Sequence, residues 1–106
     1  DGKQVRDVLF SDDLVNLYTK AIHSEKYGVA YNIGGGVLNS LSLLELFDLI
    51  KEKLDISYNV NNGPWRSSDQ KVFIADINKV RNELNWSPKV STNEGLDEML
   101  SWVAKL

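Results

Sequence analysis

Two short stretches constrain this chain more than any other feature, Ser42-Leu43-Leu44-Glu45 and Ser91-Thr92-Asn93-Glu94. Each has the form of a capping box. The serine hydroxyl accepts a hydrogen bond from the amide three residues on, and the glutamate reaches back to the serine amide, so two orphan donors of a helix start are satisfied. Each box leads into apolar residues at helical spacing: Leu43, Leu44, Leu46, Phe47, Leu49, Ile50 and Leu54 after the first, and Leu96, Met99, Leu100, Val103 and Leu106, with Trp102 beside them, after the second. Ser11, Asp12 and Asp13 supply an N-cap and an acidic first turn for a helix carrying Leu14, Val15, Leu17, Tyr18, Ala21 and Ile22, predicted to end near Ser24. Asp76 is the predicted N-cap of a helix from Ile77 to Leu84, with Pro88 preventing continuation.

Between the helices lie runs that read as strands. Val5, Val8, Leu9 and Phe10 flank Arg6-Asp7; Val29 to Ile33 follows Gly28; Ile56, Tyr58 and Val60 alternate with polar residues; and Val72-Phe73-Ile74 is a short apolar run. The expectation is an α/β fold of about four short strands and four helices. The first two strands should be joined by a crossover helix and paired in parallel around Val8 and Tyr31. A chain of 106 residues makes one domain, 1–106, and carries no repeat or linker that would divide it.

Charge and composition then exclude several functions. A net charge of −3 and no cluster of Lys and Arg argue against a nucleic-acid surface. With no cysteine there is no disulfide, thiol nucleophile or thiolate metal site, which is compatible with a cytoplasmic setting. The single histidine, His23, falls near the end of the first helix, where an imidazolium complements the helix dipole, and is assigned no catalytic or metal role. No apolar run approaches a membrane span, and no hydrophobic leader follows the charged opening. The abrupt start reads as that of an excised piece.

The candidate binding stretch is Gly63-Pro64-Trp65-Arg66-Ser67-Ser68-Asp69-Gln70. Gly63 and Pro64 break regular structure, and Pro64 fixes its own φ. Arg66 and Asp69 follow three residues apart. A guanidinium suits a bidentate grip on phosphate oxygens, while an ionised carboxylate accepts from hydroxyls such as those of a ribose. The same spacing also fits an ion pair between Arg66 and Asp69 across a surface turn. Gly34-Gly35-Gly36 invites a phosphate-loop reading, with Asp55 at a tempting distance downstream, but Asn39 stands where a dinucleotide fingerprint needs its third glycine. A loop shaped by glycine geometry is the expectation there.

Four segments resemble the C-terminal part of extended short-chain dehydrogenase/reductase enzymes, the NAD-dependent nucleotide-sugar epimerases and dehydratases. They are Gly2-Lys3-Gln4-Val5-Arg6-Asp7-Val8 with Asp13-Leu14, Tyr31-Asn32-Ile33-Gly34-Gly35-Gly36, Trp65-Arg66-Ser67-Ser68-Asp69 with Ala75-Asp76, and Glu83-Leu84-Asn85-Trp86-Ser87-Pro88. Their order and spacing cover nearly the whole chain. Within the family, the glycine triplet with its capping box and the Gly63–Gln70 stretch look most like members that act on CDP-sugars. Two departures stand out: Phe10 occupies a position where many relatives have His, and Ser67-Ser68 replaces a frequent Pro-Gly.

The resemblance implies a substrate-binding C-terminal domain in which Arg66 meets the nucleotide diphosphate, Asp69 the nucleotide ribose, and Arg6 the substrate phosphates. It also implies that Asp7 braces Arg6 and that Asp13 and Asp76 are structural. The family's NAD turn and its Tyr-x-x-x-Lys pair have no counterpart here, so no catalytic or cofactor-binding residue is assigned. Neither NAD binding nor activity is expected of this stretch alone. By resemblance, the complete enzyme moves a hydride from sugar to NAD and back, and pairs as a homodimer through the portion outside this chain. A non-catalytic nucleotide-binding or protein-interaction module that keeps the fold is the alternative reading.

Overall fold

The computed structural model describes residues 2–106. Its elements run β1 (Val5–Asp7), α1 (Ser11–Ile22), a single 3-10 turn (Val37–Asn39), β2 (Ser40–Ser42), α2 (Leu43–Leu54), β3 (Val72–Phe73), α3 (Asn78–Leu84) and α4 (Thr92–Val103). The fold is α/β, with four α-helices as expected and three strands rather than four among the described residues. The sheet order is β2-β1-β3. β2 runs antiparallel to β1, with Arg6 opposite Leu41, and β3 runs parallel to it, with Arg6 opposite Phe73.

This arrangement corrects the expected pairing around Val8 and Tyr31. A strand offers two hydrogen-bonding edges, and those of β1 are taken by β2 and β3, so residues 29–33 have no edge left on β1. They fasten instead to α3: the Tyr31 hydroxyl donates to Glu83 Oε2 at 2.8 Å and Lys79 Nζ donates to the Ala30 carbonyl at 3.0 Å. Desolvation, and after it the hydrogen bond to the Glu83 carboxylate, holds the Tyr31 phenol above its ordinary pKa. Residues 56–60 are also not a strand. Tyr58 turns back on α2, its hydroxyl donating to the Phe47 carbonyl at 2.7 Å and its ring meeting Phe47 edge-to-face at 5.9 Å.

Both capping boxes form. Ser42 Oγ accepts from the Glu45 amide at 3.2 Å and the Ser42 amide donates to Glu45 Oε2 at 2.7 Å; Ser91 and Glu94 repeat the pattern. Hydrogen bonds from the cap residues hold both glutamates below the ordinary carboxylate pKa. The other two helix starts differ from expectation. Phe10, not Ser11, is the N-cap of α1 and offers no side-chain cap. Asp76 stands one residue ahead of the Ile77 N-cap of α3 and accepts from the Asn78 amide at 2.9 Å, so it stabilises the same helix start from one position further out. His23 closes α1, its Nδ1 donating to the Thr19 carbonyl at 2.7 Å.

The core gathers where α1 and α3 meet the end of the sheet: Leu17, Ala75, Ile77, Val80, Leu84 and Trp86, with Leu9, Leu14 and Tyr31 against it. Trp86 is 1% exposed and donates its indole N–H to the Asp13 carbonyl at 3.0 Å. Asp13 itself is buried, and its Oδ2 accepts from the Lys89 and Val90 amides at 3.0 and 2.9 Å. A buried carboxylate is tolerated because it has these donors. Asp13 thus ties the start of α1 to the turn leading into α4, the structural part expected of it. The rest of the apolar stripes is not fully covered: no α2 residue is buried, and Val15, Tyr18 and Ile22 of α1 stay largely exposed.

Candidate functional site

β1 sits centrally in the sheet and sends alternate side chains to opposite faces. Asp7 goes to one face. Its Oδ2 accepts from the Gly36 amide at 3.0 Å and the Ala75 amide at 3.1 Å, so it clamps the glycine turn to the residues after β3. It does not brace Arg6, because neighbouring residues on a strand cannot share a face. The glycine triplet is closely packed: a Cβ on Gly35 would overlap the Val8 carbonyl oxygen, and one on Gly34 would overlap the Asp7 carboxylate. Small residues are needed there for backbone contact, and the Gly36 amide is already spent on Asp7. These residues do not fit a dinucleotide pyrophosphate. Asp55 closes α2 in the left-handed conformation (φ 50°), away from any cofactor arrangement.

Arg6 faces the other way. Its Nη2 donates to Asp69 Oδ1 at 2.9 Å and its Nη1 to the Val5 carbonyl at 2.8 Å. The ion pair spans 63 residues of sequence and joins the central strand to the loop before β3. The pairing of Asp69 with Arg66 that the spacing also allowed is therefore replaced by a long-range one. What links Arg66 and Asp69 is a tight turn, closed by the Asp69 amide donating to the Arg66 carbonyl at 3.3 Å, with Ser68 at φ 66°. No hydrogen bond or ion pair engages the Arg66 guanidinium among the described residues.

Arg6, Arg66 and Asp69 line one cleft of about 440 Å³. Its walls are β1, the start of α2 through Leu43 and Phe47, and the loop from Val60 to Pro64. Two guanidinium groups against one carboxylate make the lining net cationic. Arg6 has spent two of its five N–H donors and Asp69 keeps one carboxylate oxygen, so anion donors and a hydroxyl acceptor both remain. The charged residues of the cleft were legible in the sequence, and its wall was not. Gln4, Leu43 and Phe47 also line the cleft. The alternation Gln4-Val5-Arg6 put Gln4 on the same face as Arg6, a signal that was available. Among the described residues no group of three or more His, Asp or Glu could hold a metal, and no helix is long and apolar enough to cross a membrane.

Comparison with known proteins places this fold among the extended short-chain dehydrogenase/reductases. The sequence profile of the GDP-mannose 4,6 dehydratase family matches residues 1–99, and the chain belongs to that family. It is 48% identical to CDP-paratose 2-epimerase from Salmonella typhi over all of its own length and 32% of that protein. Its fold superposes with a TM-score of 0.90 on UDP-glucose 4-epimerase from Thermotoga maritima, crystallised with UDP-glucose, at 32% identity, covering 99% of this chain and 33% of that one. UDP-glucuronic acid 4-epimerase from Bacillus cereus, in complex with UDP-glucuronic acid and NAD, gives a TM-score of 0.90 at 28% identity, with the same coverage. The chain thus spans about a third of the length of these relatives.

Proposed function

We propose that this chain is the nucleotide-holding domain, residues 1–106, of an NAD-dependent nucleotide-sugar epimerase, with a CDP-sugar as substrate and inversion at a sugar carbon as the reaction. One observation carries the reading: Arg6 on the central strand and the Arg66–Asp69 turn, far apart in sequence, converge on one cationic cleft. Arg66, with its whole donor fork available, grips the diphosphate; Arg6 adds a second positive charge; and Asp69 accepts from the ribose through the oxygen Arg6 leaves open. The Arg6–Asp69 pair keeps the loop against β1, so little ordering remains to oppose binding. Binding energy gathered at the nucleotide end orients the sugar without contact to the reacting carbon. The hydride chemistry and the NAD site belong to the portion these relatives carry beyond the region matched here.

Among relatives named for CDP- and UDP-sugars, the 48% identity to CDP-paratose 2-epimerase favours cytidine as the base. The test is to supply NAD and a CDP-sugar to the full-length protein and follow the sugar configuration by NMR, with CDP as competitor. Inversion at one carbon, inhibited by CDP, is expected. Turnover that CDP does not inhibit would overturn the assignment of the cleft.

A further inference from the structure

Gln4 is the one residue with a buried side-chain polar atom that finds no partner among the described residues: its Oε1 is sealed from water and accepts no hydrogen bond. An orphan acceptor of this kind is costly and calls for an explanation. The residue is not anywhere in the fold. It lines the same cleft as Arg6 and precedes it by two positions, which on an extended strand is a step of about 7 Å along the same face. Its own backbone carbonyl accepts from the Leu43 amide at 3.2 Å, which seats it beside the Leu43 and Phe47 wall. The charged groups and this apolar wall give the cleft two chemically distinct parts, and Gln4 belongs to the second.

We propose that Gln4 reads the base of the bound nucleotide, resting on the assignment of the cleft to a nucleotide. A flat, largely apolar ring with a polar edge suits a wall of Leu43 and Phe47 with a single carboxamide beside it. The terminal torsion of a glutamine side chain is broad, so its oxygen can turn to the cleft and accept from a ring-edge N–H, such as the exocyclic amine of cytosine. The diphosphate meanwhile lies with the arginines. Gln4 is in this account a specificity-determining contact and takes no part in the reaction.

The test compares CDP with inorganic pyrophosphate, each titrated calorimetrically into the full-length protein and its variants. Gln4→Met keeps the unbranched shape without the hydrogen bond, and Gln4→Leu is the second variant should Met pack poorly. Both are expected to bind CDP about 3- to 10-fold more weakly, the worth of one neutral hydrogen bond, with pyrophosphate affinity unchanged and a thermal midpoint no lower than that of the parent. Unchanged CDP affinity, or equal losses for CDP and pyrophosphate, would overturn the inference and give Gln4 a purely structural part. Arg66→Ala separates the two claims. If it weakens both ligands while the Gln4 variants change neither, the nucleotide cleft stands and the base reader falls. If it weakens neither, the cleft assignment fails and takes this inference with it.

Discussion

Replacing Ser68 with glycine should stabilise the protein. Ser68 is held at φ 66° in the turn that the Asp69 amide closes onto the Arg66 carbonyl. A four-residue turn with positive φ at its third position is the type II arrangement, in which glycine avoids the clash between Cβ and carbonyl oxygen and proline suits the position before it. A non-glycine residue in the left-handed region costs about 1–2 kcal/mol, and glycine returns about 0.5–1 kcal/mol of that through its greater freedom in the unfolded chain. The net gain of about 0.5–1 kcal/mol corresponds to a Tm rise of about 2–8 °C for a domain of this size. Ser67→Pro on that background should add about 0.4–1 kcal/mol. A Pro-Gly pair at positions 67 and 68 is the pair this geometry favours. Differential scanning calorimetry of Ser68→Gly, with Ser68→Ala as control, provides the assay. A Tm that falls on Ser68→Gly, or rises equally in Ser68→Ala, would refute the argument from backbone strain.

Other outcomes follow from the packing. Asp13→Ala leaves the Lys89 and Val90 amides without their acceptor and should cost about 2–3 kcal/mol in chemical denaturation, while Trp86→Ala should cost about 3–5 kcal/mol. Gly35→Ala forces a Cβ into the Val8 carbonyl and should abolish cooperative unfolding in near-UV circular dichroism. Glu45 and Glu94 are held below the ordinary carboxylate value of 4.5 by their capping serines. A group with a lowered folded pKa stabilises fully above its unfolded value and loses that stabilisation as pH falls through the folded one. Tm should therefore drop as pH is lowered below about 4.5, and the Glu45→Gln, Glu94→Gln double variant should show a shallower drop over the same range.

The parts of this fold legible in the sequence are those governed by neighbours in the chain. The capping boxes at Ser42 and Ser91 form as read because every group they need lies within four residues. Strand pairing was not legible in the same way. Residues 29–33 have strand composition, but whether they pair depends on which edges of β1 are free, and the short Ser40–Ser42 strand that takes one edge carries little apolar signal. In the candidate site, residue types pointed to Arg66 and Asp69 and the family resemblance to Arg6, yet the partner of Asp69 lies 63 positions away and could not be had from local spacing. Gln4 was missed because glutamine carries no charge signal, and its significance comes from an atom that only packing leaves without a partner.

The claim on which the account rests is that the Arg66 guanidinium is the phosphate anchor of the cleft. Calorimetric titration of CDP into the full-length protein and its Arg66→Ala variant tests it most directly. Loss of a charge-assisted, bidentate contact predicts an affinity lower by about 1.5–3 kcal/mol, or roughly 10- to 150-fold, with Tm within about 1 °C because the side chain has no protein partner to lose. Arg66→Lys should fall between, since a point charge cannot reproduce the planar fork, and Asp69→Asn should be milder than Arg66→Ala. Unchanged CDP affinity in Arg66→Ala would contradict the account.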